Sequence, residues 1–452
     1  MSVIVKINEI LGSVAVLFLF FSGVAIAFML IGSVFIQRIK RRGKQSGYIK
    51  SKTNVNRVKQ RKQRDTTERS PFGSLCLALA GTLGVGNISG VASAIAVGGA
   101  GAVFWMWVSA LFCSALKYAE VVLAMHFRKK TVDGYYEGGA HLYIKNGLGL
   151  GMLASLFCIL CVFSSYTVGN ITQINAAAQS LRFSFGMNEQ ICGVVCCFLI
   201  LFFCRNGSVI YSFTLRLIPF LCIGYIIISL AVVFSNVELL DDMMKLIVSS
   251  AFNLRSGIGG LIGVVCGRAF RIGITRGVMS NEAGCGTAPM AHASSNTHSY
   301  VMQGVLGIVE VLFDTLFLCT LTALVILISD VPLGGEFSTV NAISAFSSVI
   351  GEWVEAPLAL AMLFFAIASA VGWNYYGRVS LSYLGAGKGA LFMYLVSYAV
   401  CAFFGAGLSE GIIWELSDIS IYMMSIINTA SVLLLTGFLK KSKNGIDIEA
   451  LR

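Results

Sequence analysis

The residues whose types and spacing suit chemistry stand in two interrupted apolar segments. The first is Gly81-Thr82-Leu83-Gly84-Val85-Gly86-Asn87-Ile88-Ser89-Gly90, within an apolar run from about Leu75 to Val97 that is long enough to span a bilayer. Four glycines and an asparagine in ten residues do not hold a straight helix. The second is Gly277-Val278-Met279-Ser280-Asn281-Glu282-Ala283-Gly284-Cys285-Gly286-Thr287-Ala288-Pro289, with three glycines, a proline, an acid and an asparagine. In hydrocarbon, freed backbone N–H and C=O groups are tolerated only where they line a protein cavity or bind something. A half-helix N-terminus attracts a carboxylate, and unwound carbonyls coordinate a small cation. The chemistry expected here is binding. An enzyme is not expected, because no nucleophile–base–orienter set accompanies these segments and the four histidines are scattered. A nucleotide loop is disfavoured too: the glycine spacing misses G-x-G-x-x-G and no parallel α/β pattern follows.

The elements that must position these residues are membrane helices. The chain of 452 residues is 56% hydrophobic and only 12% charged, with a mean hydropathy of +0.81, whereas soluble domains carry roughly 25% charged residues. Hydropathy windows predict about eleven spans, approximately 11–36, 74–98, 101–127, 151–181, 188–204, 207–235, 272–296, 303–328, 354–384, 388–407 and 410–439. The first is too long for a signal-peptide core of about 7–15 residues and lacks a small-residue cleavage pattern, so it reads as a retained helix. With that helix set aside, the breaks fall in the first and sixth of ten. This implies an all-α membrane fold of two inverted five-helix repeats with the site between them, as in secondary transporters. The expected division is an extra N-terminal helix over 1–37, a basic loop over 38–70, a core over 71–439 (repeats 71–236 and 257–439) and a tail over 440–452.

Charge gives an orientation. The net charge is +11, and residues 38–69 are dense in Lys and Arg, with only Asp65 and Glu68 opposing them. The positive-inside rule places this loop in the cytoplasm and makes a nucleic-acid partner unnecessary; attraction to anionic membrane lipid is a by-product. Arg128-Lys129-Lys130, Arg205, Lys388 and the tail with Lys440, Lys441 and Lys443 then also fall inside. Glu238, Asp241, Asp242, Asp330 and Glu336 fall outside. A multi-pass protein of the cytoplasmic membrane follows, N-terminus outside and C-terminus inside, with an odd number of spans. The stretch Gly257–Gly273, bearing Arg268 and Arg271, reads as an amphipathic helix at the outer surface. The thirteen cysteines sit mostly in apolar spans and read as small apolar filler, with no disulfide and no metal cluster expected.

On these motifs, and on Gly98-Gly99-Ala100-Gly101-Ala102-Val103-Phe104-Trp105-Met106-Trp107, Ala288-Pro289-Met290-Ala291-His292-Ala293, Thr320-Leu321-Thr322-Ala323-Leu324-Val325-Ile326-Leu327 and Gly372-Trp373-Asn374-Tyr375-Tyr376-Gly377, the chain resembles the alanine or glycine:cation symporter family. The matches extend over most of residues 71–385, with little specific similarity beyond. The resemblance implies a leucine-transporter-like fold and uptake of small neutral amino acids coupled to Na⁺ or sometimes H⁺, with no other cofactor. Glutamine or serine as cargo is an alternative. A non-transporting sensor on the same scaffold is another, although a sensor should carry a large soluble signalling domain. Oligomeric state is not legible.

By that resemblance Asn87 and the Thr82 carbonyl hold a cation beside the substrate carboxylate at Gly86. The Ala80 and Leu83 carbonyls face a second cation with Ser369, and Gln173 reaches the substrate. Met279, Ser280, Asn281 and Ala283 are expected to wall a tight side-chain pocket, and Trp373, four residues after Ser369, to close it. Lys117 and Glu120 are expected to pair within their helix, Glu282 to take a structural partner such as Arg276, and His141 to be solvated. Three departures from the family pattern bear on coupling. Ala368 replaces one of two adjacent hydroxyls, and Arg378 takes a position that is usually acidic. Glu310 stands where glycine is expected, one turn before Asp314, so two acids share a helix face in the membrane.

Overall fold

Proline and short polar side chains start the helices where the apolar runs begin. The structure, a computed structural model, describes residues 2–44, 69–131, 134–252, 267–331 and 338–437. Helix α1 (Ser2–Lys44) runs on past its expected span, so the first residues of the expected basic loop continue the helix; residues 45–68 of that loop lie outside the described residues. Ser70 caps α2 (Pro71–Thr82), accepting from the Gly73 N–H at 3.0 Å, with Pro71 in the first turn where no N–H is needed. A one-turn 3₁₀ segment (Val85–Asn87) links α2 to α3 (Ser89–Gly98), and the pair is bent by 64°. Then come α4 (Gly101–Phe127), a hairpin of β1 (Lys129–Lys130) and β2 (Tyr136–Glu137), and α5 (Ala140–Leu148). Helices α6 (Gly151–Tyr166) and α7 (Thr172–Phe185) are joined through a π turn at Thr167–Ile171.

The chain continues through α8 (Glu189–Phe203), α9 (Gly207–Ser235) and α10 (Leu240–Ala251). Asn188 and Asn206 cap α8 and α9. Much of the expected amphipathic stretch before Arg268 lies outside the described residues. The second broken segment is α11 (Arg268–Asn281) followed by the short α12 (Ala288–Ala293). Helices α13 (Tyr300–Val311) and α14 (Thr320–Ser329) are joined by a π segment over Leu312–Cys319. The remaining helices are α15 (Ser338–Ile350), α16 (Glu355–Tyr383), α17 (Lys388–Gly405) and α18 (Glu410–Leu434). Among the described residues eight helices are long and apolar enough to cross a membrane, or nine if the bent α2–α3 pair counts as one span. The expected spans over 188–204 and 272–296 are occupied by the shorter α8 and by α11 with α12.

Helix α4 packs against α11 and α13, while α16 packs against α2, α6 and α7, and α1 lies against α4 and α18. Helices α2 and α16 meet backbone to backbone. A Cβ on Gly372 would stand 2.8 Å from the Gly81 nitrogen, an atom that cannot step aside. Gly372→Ala is therefore expected to destabilise the protein by about 1–3 kcal/mol through overpacking, read as a lowered thermal midpoint in detergent. An unchanged midpoint would contradict this packing.

One end of the bundle gathers basic residues. The Arg69 guanidinium lies over the rings of Tyr135, Tyr211 and Tyr375 at 5.3, 5.5 and 5.4 Å. Arg128 donates to the carbonyls of Ser295 and Thr297 at 2.5 and 2.8 Å, closing the open end of α12. His141 corrects its expectation: it is 1% exposed and packs on Tyr383 with ring centroids 4.9 Å apart. Burial, helped by the charge of Lys129, pushes its pKa down to about 3, so it stays neutral.

Candidate functional site

The two breaks meet at one carboxylate. Past Thr82 the helix stops: Leu83 leaves helical geometry at φ −80°, ψ 78°, and Gly84 is extended. The Gly84 N–H turns back onto the Thr82 carbonyl at 3.0 Å. The Val85 N–H, freed by the break, donates to Gln173 Oε1 at 2.9 Å, and the Gln173 amide donates on to the Val168 carbonyl in the π turn. In the second segment Glu282 ends α11 in the left-handed region (φ 52°), and Gly284 follows at φ 90°, a backbone state that glycine adopts without strain. Asn281 caps the break, its Oδ1 accepting from the Ala283 N–H at 3.0 Å.

Asp314, in the π segment between α13 and α14, lies between these ends. Its Oδ1 accepts from Asn87 Nδ2 at 2.6 Å, and its Oδ2 from Ser280 Oγ at 2.7 Å and Thr315 Oγ1 at 2.9 Å. Asn281 Nδ2 donates to Thr315 Oγ1 at 3.0 Å. The Asn87 carbonyl accepts from Thr322 Oγ1 at 2.8 Å, and Tyr225 joins Thr322 at 2.5 Å. Asp314 is fully buried, and no ion pair to it occurs among the described residues. Asn87 Oδ1 is buried beside it, with no hydrogen-bond partner among the described residues. A buried carboxylate and an unsatisfied amide oxygen together suit a cation or a proton at this point. π segments recur at functional sites, and this one carries Asp314.

The other expected site residues lie at or near the breaks. Gly86 faces Ser280, with 4.0 Å between a Cβ built on the glycine and the serine Cα. Thr82 Oγ1 turns to the Leu79 and Ala78 carbonyls at 3.4 and 3.5 Å, and Ala80 and Leu83 are buried beside it. Ser369 donates from α16 to the Gly81 carbonyl at 3.2 Å, with Ala368 buried next to it. Trp373 is fully buried and packs edge-on to Tyr376. Ala283 is buried within the second break. Met279 is half-buried, its sulfur 3.2 Å from Arg276 Nη1.

Three charge assignments change. Lys117 does not pair along its own helix with Glu120; it reaches across to Glu310 at 3.4 Å, with both side chains fully buried. Glu120 instead accepts from Asn428, which also donates to the Gly284 carbonyl. Glu282 accepts from Thr287 Oγ1 at 2.5 Å, while Arg276 pairs with Asp418 at 3.4 Å. Glu310 also meets His292 Nε2 at 2.7 Å. Its proximity to Asp314 is thus relieved by separate partners for the two acids. Sequence reasoning marked Asp314 as a buried acid without placing it in the site, and it missed Thr315, Thr322 and Tyr225. The available signal was the Asp-Thr pair inside an apolar run.

The chain superposes on a manganese transporter of Eremococcus coleocola with a TM-score of 0.50 at 14% identity, over 82% of this chain and 77% of that one. It has the fold of a multi-span membrane transporter. More particularly, the protein belongs to the sodium:alanine symporter family, whose model matches residues 6–445. That is a family of symporters and not of enzymes. A sodium/alanine symporter of Methanococcus maripaludis is 35% identical over 380 residues, covering 81% of this chain and 82% of its own. A probable sodium/glutamine symporter of Bacillus subtilis is 34% identical over 375 residues, covering 81% and 76%. A putative sodium/proton-dependent alanine carrier of the same bacterium is 33% identical over 411 residues, covering 84% and 82%.

Proposed function

We propose that this protein carries a small neutral amino acid, such as alanine or glycine, across the cytoplasmic membrane together with Na⁺ or H⁺, by alternating access. The observation that carries this reading is the buried Asp314 carboxylate, tied to both helix breaks by neutral donors, with the Asn87 amide oxygen unpartnered beside it. A Na⁺ at this point takes Asn87 Oδ1, an Asp314 oxygen and the Thr82 carbonyl as hard oxygen ligands. The substrate carboxylate lies next to it at Gly86, drawn by the N-terminal end of α3. Gln173 fixes the backbone of the first break. Ser280, Asn281, Ala283 and Met279 bound the side chain on one side and Trp373 on the other, which limits its size. The two repeats, 71–236 and 257–439, rock around this point. The basic end of the bundle faces the cytoplasm, with the N-terminus outside and the C-terminus inside.

A second cation belongs at the carbonyls of Ala80 and Leu83 with Ser369 Oγ, and Ala368 leaves that site one oxygen short. Ala368→Thr is expected to strengthen Na⁺-driven uptake and lower the Na⁺ concentration for half-maximal transport. No change would remove this site from the account. The reading as a whole is tested by alanine binding to the purified protein as Na⁺ is titrated. Binding is expected to rise with Na⁺ and to lose that dependence in Asn87→Ala. Alanine binding equally tight in Na⁺ and in choline would count against it.

A further inference from the structure

Helix α9 breaks the rule for a lipid-facing surface. Ser208, Ser212 and Arg216 follow one another at four-residue intervals and are all exposed, so they form one polar stripe down its outer face. From Phe220 to Phe234 the exposed face is apolar: Phe220, Ile223 and Ile227 are 74%, 58% and 62% exposed. Arg216 and Arg205 line one open groove of about 560 Å³ with Ser208, Ser212, Phe213 and Phe220. Phe203 and Phe213 stack at 3.9 Å in its wall, and the Arg205 guanidinium lies 5.1 Å from the centre of the Phe202 ring. Among the described residues neither arginine makes an ion pair.

The depth of Arg216 fits a headgroup. Helix α9 has 29 residues, about 44 Å at 1.5 Å per residue, against a hydrocarbon core of about 30 Å. Up to about 14 Å of it therefore lies in the interfacial layer. Arg216 stands nine residues in from Gly207, also about 14 Å along the axis. The exposed apolar face runs from Phe220 to Phe234, almost to the far end of the helix, so the excess falls at the Gly207 end and Arg216 sits where headgroup gives way to acyl chain. Asn206 and Gly207 at the start of the helix line a second cavity with Arg69 and Arg378, which places this end of α9 at the basic end of the bundle.

We propose that this groove is a binding site for an anionic phospholipid. The phosphate lies between the guanidiniums of Arg205 and Arg216, which bind phosphate oxygens in a forked geometry, with the hydroxyls of Ser208 and Ser212 as further donors. The acyl chain runs along Phe213 and Phe220. A zwitterionic lipid brings a cation that two unpaired arginines repel, so charge selects phosphatidylglycerol over phosphatidylcholine. A second copy of this chain would have to bring acids to the same depth in the bilayer, which is costly.

The test is native mass spectrometry of the full-length protein released from nanodiscs of mixed phosphatidylglycerol and phosphatidylcholine. The parent is expected to retain phosphatidylglycerol. The Arg205→Gln/Arg216→Gln variant is expected to bind it about 30-fold more weakly, roughly fivefold for each arginine near an anionic surface. Arg216→Lys, which keeps the charge, should fall between them. Soluble glycerophosphate should not displace the lipid, because it lacks the chain that the phenylalanines hold. If the double variant misfolds, Ser212→Leu, which fills the stripe without touching an arginine, should still reduce retention. Equal retention of phosphatidylcholine by the parent, or unchanged phosphatidylglycerol retention in a folded double variant, would overturn the proposal. So would displacement by glycerophosphate, or a dimer held through this face.

Discussion

Asp314→Asn is expected to lower Na⁺-driven amino-acid uptake about a hundredfold while leaving a folded, membrane-inserted protein. The side chain keeps its size, so the helices still meet. The negative charge is lost, and the acceptor pair that holds Asn87 Nδ2 on one oxygen and Ser280 and Thr315 on the other becomes half donor. Hydrogen bonds to a charged group contribute about 1.5–3 kcal/mol each. Loss of the charge also removes the counter-ion of the proposed cation, which the orphaned Asn87 oxygen cannot replace alone. The effect should appear mainly as a shift of the Na⁺ dependence to higher concentration. Thr322→Val, which removes the bond to the Asn87 carbonyl together with those to Tyr225 and the Leu318 carbonyl but leaves Asp314 and its donors in place, should cost about tenfold or less. Uptake by Asp314→Asn with parental Na⁺ dependence would show that the acid is structural.

The second large effect concerns stability. Glu310→Gln leaves the fully buried Lys117 ammonium without its 3.4 Å partner and takes the carboxylate away from His292. Removing one member of a buried pair costs about 3–5 kcal/mol, because an uncompensated charge remains in the dry interior. The expected result is a large drop in resistance to chemical denaturation in detergent, with low yield. Glu310→Asp should recover part of it. These residues tie α4 to α12 and α13, so the loss should be global rather than confined to transport. A Glu310→Gln protein as stable as the parent would show that Lys117 is held by its other acidic neighbours, Glu120 and Glu282.

The two breaks were legible in the sequence because backbone chemistry is local: clustered glycines with Asn87, and a Gly-Cys-Gly after Glu282, mark a helix end wherever they stand in an apolar run. Gln173 and Ser369, which the family resemblance assigns to the substrate and to a second cation, reach the backbone of the first break from α7 and α16. What escaped is set by contacts between distant elements. Lys117 has Glu120 three residues away, yet the fold offers it Glu310 from another helix. His141 follows the hairpin, and only packing against Tyr383 shows that it is buried. The role of Asp314 depends on a π segment that aims it between the breaks, and an irregularity of one residue in a helix leaves no mark in hydropathy. The expected pairing of Glu282 with Arg276 failed for the same reason: Asp418, on α18, supplies the partner.

The central claim is that the two breaks bind an amino acid together with a cation. Its most direct test is radiolabelled alanine uptake into proteoliposomes under an imposed Na⁺ gradient, beside an imposed H⁺ gradient and no gradient. The account predicts concentrative uptake driven by Na⁺ or H⁺ and abolished when both gradients are collapsed. Alanine entry that only equilibrates and is indifferent to either ion would contradict it.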